Sequence, residues 1–335
     1  MLSKKQKKTL NYIAGPLLFL ITSFFIYKQV SNKKDLETQW QHIAQNFHAE
    51  QFVAVIFVLV LMMVNWCLET QKWLVAIKGV QTMKFGKAFK SILSGVAFTM
   101  ITPNRTGEFV GRILYIDEGN RIRAALLTLT TSISQTIVTI IFGIIGFFII
   151  KDEILKLEVK YIHLWVNGIL FSSVFFIIAC LLFYYNLSNV IRLFSRYRFF
   201  HKFKFFIKPL LKLKTNALNS IFVLSIIRYF VFTMQYIILL HVFGVQINWL
   251  NAFAVIAVFY LAMAIIPTFA IAELGIRGGI SLSLFGMFSA NNLGILFAAT
   301  GIWLINVILP AAIGALLVLN IKLFKKNIDD NVKEV

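Results

Sequence analysis

Apolar positions in this chain run in long, almost unbroken stretches rather than in short amphipathic ones. Six stretches, at about 10–27, 52–71, 124–150, 162–185, 217–243 and 294–321, come near or exceed the roughly 20 residues a helix needs to cross a bilayer. The ten-residue alternation of a membrane β-barrel does not dominate anywhere. The pattern predicts an all-α, polytopic helical membrane protein of about six full spans. Two further apolar stretches, 86–103 and 249–290, are shorter or interrupted, the first running into ITPNRTGEFVGR (101–112) and the second broken by PTFAIAELGIRGG (267–279). They predict two broken or re-entrant helical hairpins.

Charge supplies an independent check. Only 14% of residues are charged and the mean hydropathy is +0.80, against about a quarter charged in soluble domains. The net charge of +19 would point to nucleic acid in a soluble protein. Here the basic segments sort to one side once the six spans are threaded. Lys4, Lys5, Lys7 and Lys8 precede the first span; Lys72, Lys78, Lys84, Lys87 and Lys90 follow the second. The segment 192–214 has eight Lys/Arg and no acid, and Lys322, Lys325, Lys326 and Lys333 close the chain. By the positive-inside rule this face is cytoplasmic and both termini lie there. The expected organisation is a single integral membrane domain, 1–335, with a basic N-terminus (1–9), a basic loop (186–216) and a tail (322–335) on the cytoplasmic face. The apolar N-terminal stretch lacks a small-x-small site and reads as a retained span, not a cleaved leader. RLFSRYRFFHKFKFFIKPLLKLK (192–214) is interrupted by Pro209. It reads as a loop resting on anionic headgroups, with nucleic-acid binding the disfavoured alternative.

The charge rule also bears on the two interrupted stretches. A simple crossing at 86–103 would put Arg105, Arg112, Arg121 and Arg123 outside and invert everything after them; a re-entrant hairpin leaves the rule intact. The stretch 249–290 is either a pair of crossings or a second hairpin from the opposite face. Broken helices persist at membrane depth only where protein or water satisfies the freed backbone groups. The breaks resemble each other: Pro103, Glu108 and Arg112 in one, Pro267, Glu273 and Arg277 in the other. Two such breaks entering from opposite faces are what an inverted repeat would give.

Three acids fall within or beside membrane segments: Glu69, Glu108 and Glu273. An unpaired charge in hydrocarbon costs from about 2.5 to more than 10 kcal/mol, so each must face a partner or a cavity. In helices, Glu108/Arg112 and Glu273/Arg277 are i,i+4 neighbours and could simply neutralise one another. The other reading is that Arg105, Arg112 and Arg277 present guanidinium groups, together with helix N-terminal N–H groups, to a phosphate. Glu108 and Glu273 would then orient them or carry a coupled proton, and Pro103, Gly107, Pro267 and Gly275 would make the breaks. Arg105 has no acid four positions before it and is the best candidate for a free ligand. Arg228, about three turns into its helix, needs a partner among Glu69, Glu108 and Glu273. Cys67 and Cys180 lie in separate apolar segments, and the five histidines show no metal-ligand spacing. No cofactor or metal is expected.

TPNRTGEFVGRILY, followed by IPTFAIAELGIRGG, resembles the lysylphosphatidylglycerol synthase transmembrane (flippase-like) family over about residues 10–320. Pro103, Arg105, Gly107, Glu108 and Arg112 match its first motif. Leu274, Gly275, Ile276 and Arg277 match its second, but Glu273 comes early and Gly278 stands where a glutamate is usual. The resemblance implies a multi-pass protein of a bacterial cytoplasmic membrane that binds or translocates phospholipid or another lipid-phosphate. Bifunctional members carry a soluble aminoacyltransferase domain after the membrane part; only KLFKKNIDDNVKEV follows the last span here, so enzymatic lipid aminoacylation is not expected. Two alternatives stay open: a transferase acting on a lipid-phosphate, and a non-transporting accessory partner of an envelope-synthesis enzyme. Against the first, the clustered acids Asp117–Glu118 and Asp152–Glu153 are loop pairs without a histidine.

Overall fold

A computed structural model describes residues 49–100, 102, 107–156, 162–186, 189, 213–266 and 270–319. The expected first span at 10–27, most of the basic loop, the tail, Pro103, Arg105 and Pro267 lie outside them. The elements are α1 (Ala49–Ile77), α2 (Phe85–Thr99), α3 (Glu108–Ile113), α4 (Arg121–Leu155), α5 (Ile162–Tyr185), α6 (Thr215–Val242), α7 (Trp249–Ile265), α8 (Ala270–Phe285), α9 (Asn292–Trp303) and α10 (Leu309–Val318). A five-residue π stretch, Leu304–Ile308, joins α9 to α10. All regular elements among the described residues are helical, so the protein is a polytopic helical membrane protein. Four helical stretches are long and apolar enough to cross a membrane: Ala49–Ile77, Glu118–Leu155, Thr215–Val242 and Asn292–Val318. α5, 24 residues long, matches the expected span at 162–185. Phe52, Phe57 and Val60 on α1 and Phe171, Phe175 and Leu182 on α5 are exposed, as side chains facing lipid must be.

The two broken stretches behave differently from full spans. At about 1.5 Å per residue, the 17 residues of α7 and the 16 of α8 reach about 25 Å, short of a hydrocarbon core of about 30 Å. Of the two readings left open for 249–290, this favours the hairpin. In the first break, α3 folds back against α2, and glycines make the approach. A Cβ on Gly111 would collide with the backbone of Gly95 and Ser94, and one on Gly95 would lie 2.6 Å from the Glu108 carbonyl oxygen. Gly107, the residue before α3, donates its N–H to Thr102 Oγ1 at 2.6 Å, and Thr102 Oγ1 donates to the Phe98 carbonyl. The hydroxyl thus takes up backbone groups that the break frees. Gly275 is different. It sits inside α8, exposed, with open space around its Cα, and so does not make the second break as the sequence suggested.

The halves 49–155 and 215–318 repeat one order: long helix, short helix, break, short helix, long closing stretch. The Glu/Arg pairs are offset by 165 positions (108 to 273, 112 to 277), as are the ends of α1 and α6 (77 to 242). Packing is reciprocal: α2 lies on the closing helix α10 of the second half, and α7 lies on the closing helix α4 of the first. Gly314 lets the Leu93 carbonyl come close, and Gly146 does the same for Ala254. The long helices α1 and α6 pack on each other antiparallel, since Arg228 reaches Asn65 while Gln235, two turns later, reaches Val58. Equivalent helices running in opposite directions require a two-fold axis across them, which is the geometry of an inverted repeat.

Two substitutions test the glycine assignments. Gly111→Ala should destabilise the detergent-solubilised protein by about 1–3 kcal/mol in thermal unfolding, because the atoms it meets are backbone and cannot rotate away. Gly275→Ala should be neutral or stabilise by up to about 1 kcal/mol, as expected for an exposed helical glycine.

Candidate functional site

The site begins on one face of α1. Asn65, Trp66, Glu69, Lys72 and Trp73 recur at spacings of three and four, and all are buried. The Glu69 carboxylate is shared by cations from three elements: Lys72 Nζ of its own helix at 2.8 Å, Arg228 Nη1 of α6 at 2.8 Å, and Arg112 Nη2 of α3 at 2.6 Å. Arg112 also pairs with Glu108, one turn back on α3. Arg228 Nε donates to Asn65 Oδ1 at 2.7 Å, and Asn65 Nδ2 reaches Asn306 Oδ1 at 3.4 Å. Asn306 belongs to the π stretch, and such bulges are frequent at functional sites. Lys72 Nζ donates to Gln135 of α4, whose amide donates to the Ser225 carbonyl of α6. Aromatic faces complete the shell: Arg112 lies 5.3 Å from the Trp73 ring centre, and Arg228 lies 5.4 and 5.1 Å from Trp66 and Phe232.

Among the described residues of this cluster, three cations face two carboxylates, leaving one positive charge in excess. The Arg112 side chain is wholly buried, yet its Nε and Nη1 have no acceptor among the described residues. Buried donors normally find partners, so this guanidinium has capacity for an anion that its two carboxylates do not fill. Glu108 is the open member of the cluster, with 28% of its side chain exposed.

The second break carries less. Arg277 Nη2 pairs with Glu273 Oε1 at 2.9 Å within α8, both side chains are buried, and the guanidinium lies 5.4 Å from the Phe259 ring centre. Glu273 stands in the first turn of α8, where its charge already compensates the helix N-terminus. At the first break α3 has only six residues, so the positive charge there comes from side chains rather than from a helix dipole.

The sequence expectations fare unevenly. Arg228 takes Glu69 as its partner, out of three candidates, and both i,i+4 pairs form. Among the described residues, Arg112 pairs with Glu69 and Glu108, and Arg277 pairs with Glu273 on its own helix. Both breaks approach α6, Arg112 through the carboxylate it shares with Arg228, and α8 through Tyr236, whose hydroxyl bonds Ser281 at 3.0 Å. Eight residues separate Arg228 from Tyr236, which is about 12 Å along a helix. Apolar hollows of about 430 Å3 between α4 and α5 (Leu129, Ile133, Ile137, Cys180) and about 390 Å3 beside α1 (Val64, Cys67, Phe85) touch none of the charged residues. Lys72, expected as the first cation of a loop, is buried in α1, which leaves Lys78, Lys84, Lys87 and Lys90 to mark that end. Asn65, Gln135 and Asn306 were missed. For Asn65 and Lys72 the signal was present: polar residues four before and three after Glu69 on one apolar helix face. For Gln135 and Asn306 the sequence offers none.

The family described as "Lysylphosphatidylglycerol synthase TM region" matches residues 12–314. The chain belongs to this family. No curated protein matches it. Family membership makes this a membrane protein tied to lipid metabolism. Within that family's transmembrane region, the Glu69 cluster is the most highly charged buried site among the described residues.

A double-mutant cycle tests the central pair. Arg228→Gln should cost on the order of 1–3 kcal/mol, because it removes one of three cations from a buried carboxylate that keeps Lys72 and Arg112. Combining it with Glu69→Gln should cost less than the sum of the single changes by about 0.5–3 kcal/mol in thermal unfolding. Strict additivity would show that the two side chains are not coupled.

Proposed function

We propose that the protein binds the anionic headgroup of a phospholipid or another lipid-phosphate at the Glu69 cluster and carries it across the membrane, the acyl chains staying in the bilayer. The observation that supports this is Arg112: wholly buried, in a cluster with one cation in excess, and holding two donors that no described group accepts. A phosphate supplies both the missing charge and the acceptor oxygens. The share of Arg105 in holding that phosphate rests on the sequence alone, since it lies outside the described residues.

The inverted repeat supports transport rather than static binding. Folds of this kind place substrate near the midplane, between halves that rock against each other. The Glu69 cluster lies where α1 and α6, the long helices of the two halves, meet. Arg277 and Glu273 would form the corresponding station of the second half. On this reading the basic end marked by Lys78, Lys84, Lys87 and Lys90 is cytoplasmic, and the protein acts as a carrier without a chemical step of its own.

The test is movement of headgroup-labelled lipids in proteoliposomes of the purified protein. Arg112→Gln should slow an anionic lipid about ten- to a hundred-fold, the loss expected when a charge-assisted hydrogen bond is removed. Unchanged movement of the anionic lipid would remove the site from the mechanism. Turnover of a lipid-linked substrate by the pure protein would replace the carrier reading with an enzymatic one.

A further inference from the structure

Arg112 has two carboxylates, and they differ in kind. Glu108 is on the same short helix, one turn away, so it travels wherever Arg112 travels. Glu69 is on another element, and its bond to Arg112 persists only while α3 lies against α1. Glu69 is also the group that ties α1 to the second half through Arg228. We propose that Glu69 is an internal substitute for the ligand: its carboxylate holds the seat on Arg112 that an incoming oxyanion takes, and its displacement releases the short helix α3 from the charged face of α1, while α2 stays packed on α1. The inference rests on Arg112 being the anion site.

The physical argument is one of competition. The idle Nε and Nη1 of Arg112 give an oxyanion its first foothold, since both carboxylates bond Nη2, but with Glu69 and Glu108 in place it brings a third negative charge against them in a medium that screens poorly, so one carboxylate must give way. Glu108 stays within reach of Arg112 wherever α3 goes, because it sits one turn away on the same helix. Glu69 can give way, because Lys72 and Arg228, both within 2.8 Å, hold its other oxygen and keep the buried carboxylate neutralised. Binding therefore exchanges one anion for another on Arg112 and strands no charge. The bond lost is the ion pair between α3 and α1, so the ligand's arrival loosens α3, while the apolar packing of α2 on α1 and the tie between α1 and α6 are kept. By linkage, whatever holds α3 against α1 weakens the ligand, and the ligand weakens that hold to the same degree.

The experiment uses the full chain in nanodiscs of phosphatidylcholine, with or without phosphatidylglycerol, and a third arm in which inorganic phosphate is added to phosphatidylcholine discs. Hydrogen exchange of the peptide covering α3 is followed with lipid binding by native mass spectrometry. In the wild type, phosphatidylglycerol should raise exchange in α3. If free phosphate alone does so, the oxyanion rather than the lipid is what the site reads. Glu69→Gln should bind phosphatidylglycerol at least about five-fold tighter and show fast α3 exchange without it. Because that change leaves Lys72 and Arg228 short of a partner, Glu69→Gln/Lys72→Gln, which keeps one cation in excess, should give the same result. The wild-type arm needs neither variant to fold. Wild-type α3 exchange indifferent to both anions, or a folded variant that binds no tighter, overturns the inference. Arg112→Gln separates the two failures: if it binds phosphatidylglycerol as the wild type does, the anion site itself is misplaced, whatever Glu69 shows.

Discussion

A carboxylate buried among apolar helices has to be neutralised by something, and Glu69 is neutralised by Lys72, Arg112 and Arg228. That requirement constrains the architecture more than any single apolar contact. It fixes the rotation of α1 about its axis, because Asn65, Glu69 and Lys72 must all face inward. It brings α3 to α1, and it sets the register of α6 by placing Arg228 opposite Glu69. Between helices in lipid there is little hydrophobic driving force, since lipid tails are as apolar as leucine. Association then depends on close packing and on polar ties. The glycines at 95, 111, 146 and 314 serve the first, admitting backbone where a side chain would collide. The Glu69 network serves the second.

The two halves share an order of elements and a reciprocal packing, yet their charges are not equivalent. Arg112 reaches out of its own helix to a carboxylate on α1. Arg277, its counterpart at an offset of 165 positions, pairs with Glu273 on its own helix and lies against Phe259. The repeat therefore offers one station that spans elements and one that is largely self-contained. Helix α6 passes both, with Arg228 and Phe232 near the first and Tyr236 near the second. The scaffold is thus repeated while its buried charges are not, and the two halves differ in how far their arginines reach beyond their own helix.

Much of this was legible in the sequence, for identifiable reasons. Long apolar runs have no stable alternative to helix in a bilayer, so five of the six expected spans coincide with helices, and the sixth lies outside the described residues. The spacing of Glu108 to Arg112 and of Glu273 to Arg277 is a local property, and both pairs form. The likeness of the two breaks, each with a proline followed by a Glu/Arg pair four apart, foreshadowed the repeat. What failed was of another kind. Gly275 looked like a break because glycine punctuates helices in general, but α8 runs straight through it. Lys72 looked like a loop cation because charge usually ends a span; a buried Glu69 one turn earlier lets the helix continue. Gln135 and Asn306 could not have been found at all, since their roles arise only when α4 and the π stretch are laid beside α1. Nor did the charges alone show that Arg112 is wholly buried, and its burial closes the cluster around it.

That closure bears on how such a site can serve a lipid. A permanently open, hydrated array of arginines would bind anions from solution and leak water through a thinned membrane. A fully balanced buried network would be inert, since every donor would already be satisfied. The cluster here lies between these limits: its carboxylates hold the cations at depth, and one positive charge with two idle donors on Arg112 remains over among the described residues. Such an imbalance is costly in a poorly screening interior, and the protein keeps it at the junction of two antiparallel halves whose relative position could change. Excess charge at a buried seam is a poor device for stability, and that cost is what makes the proposed anion at Arg112 a physical completion of the cluster rather than an addition to it.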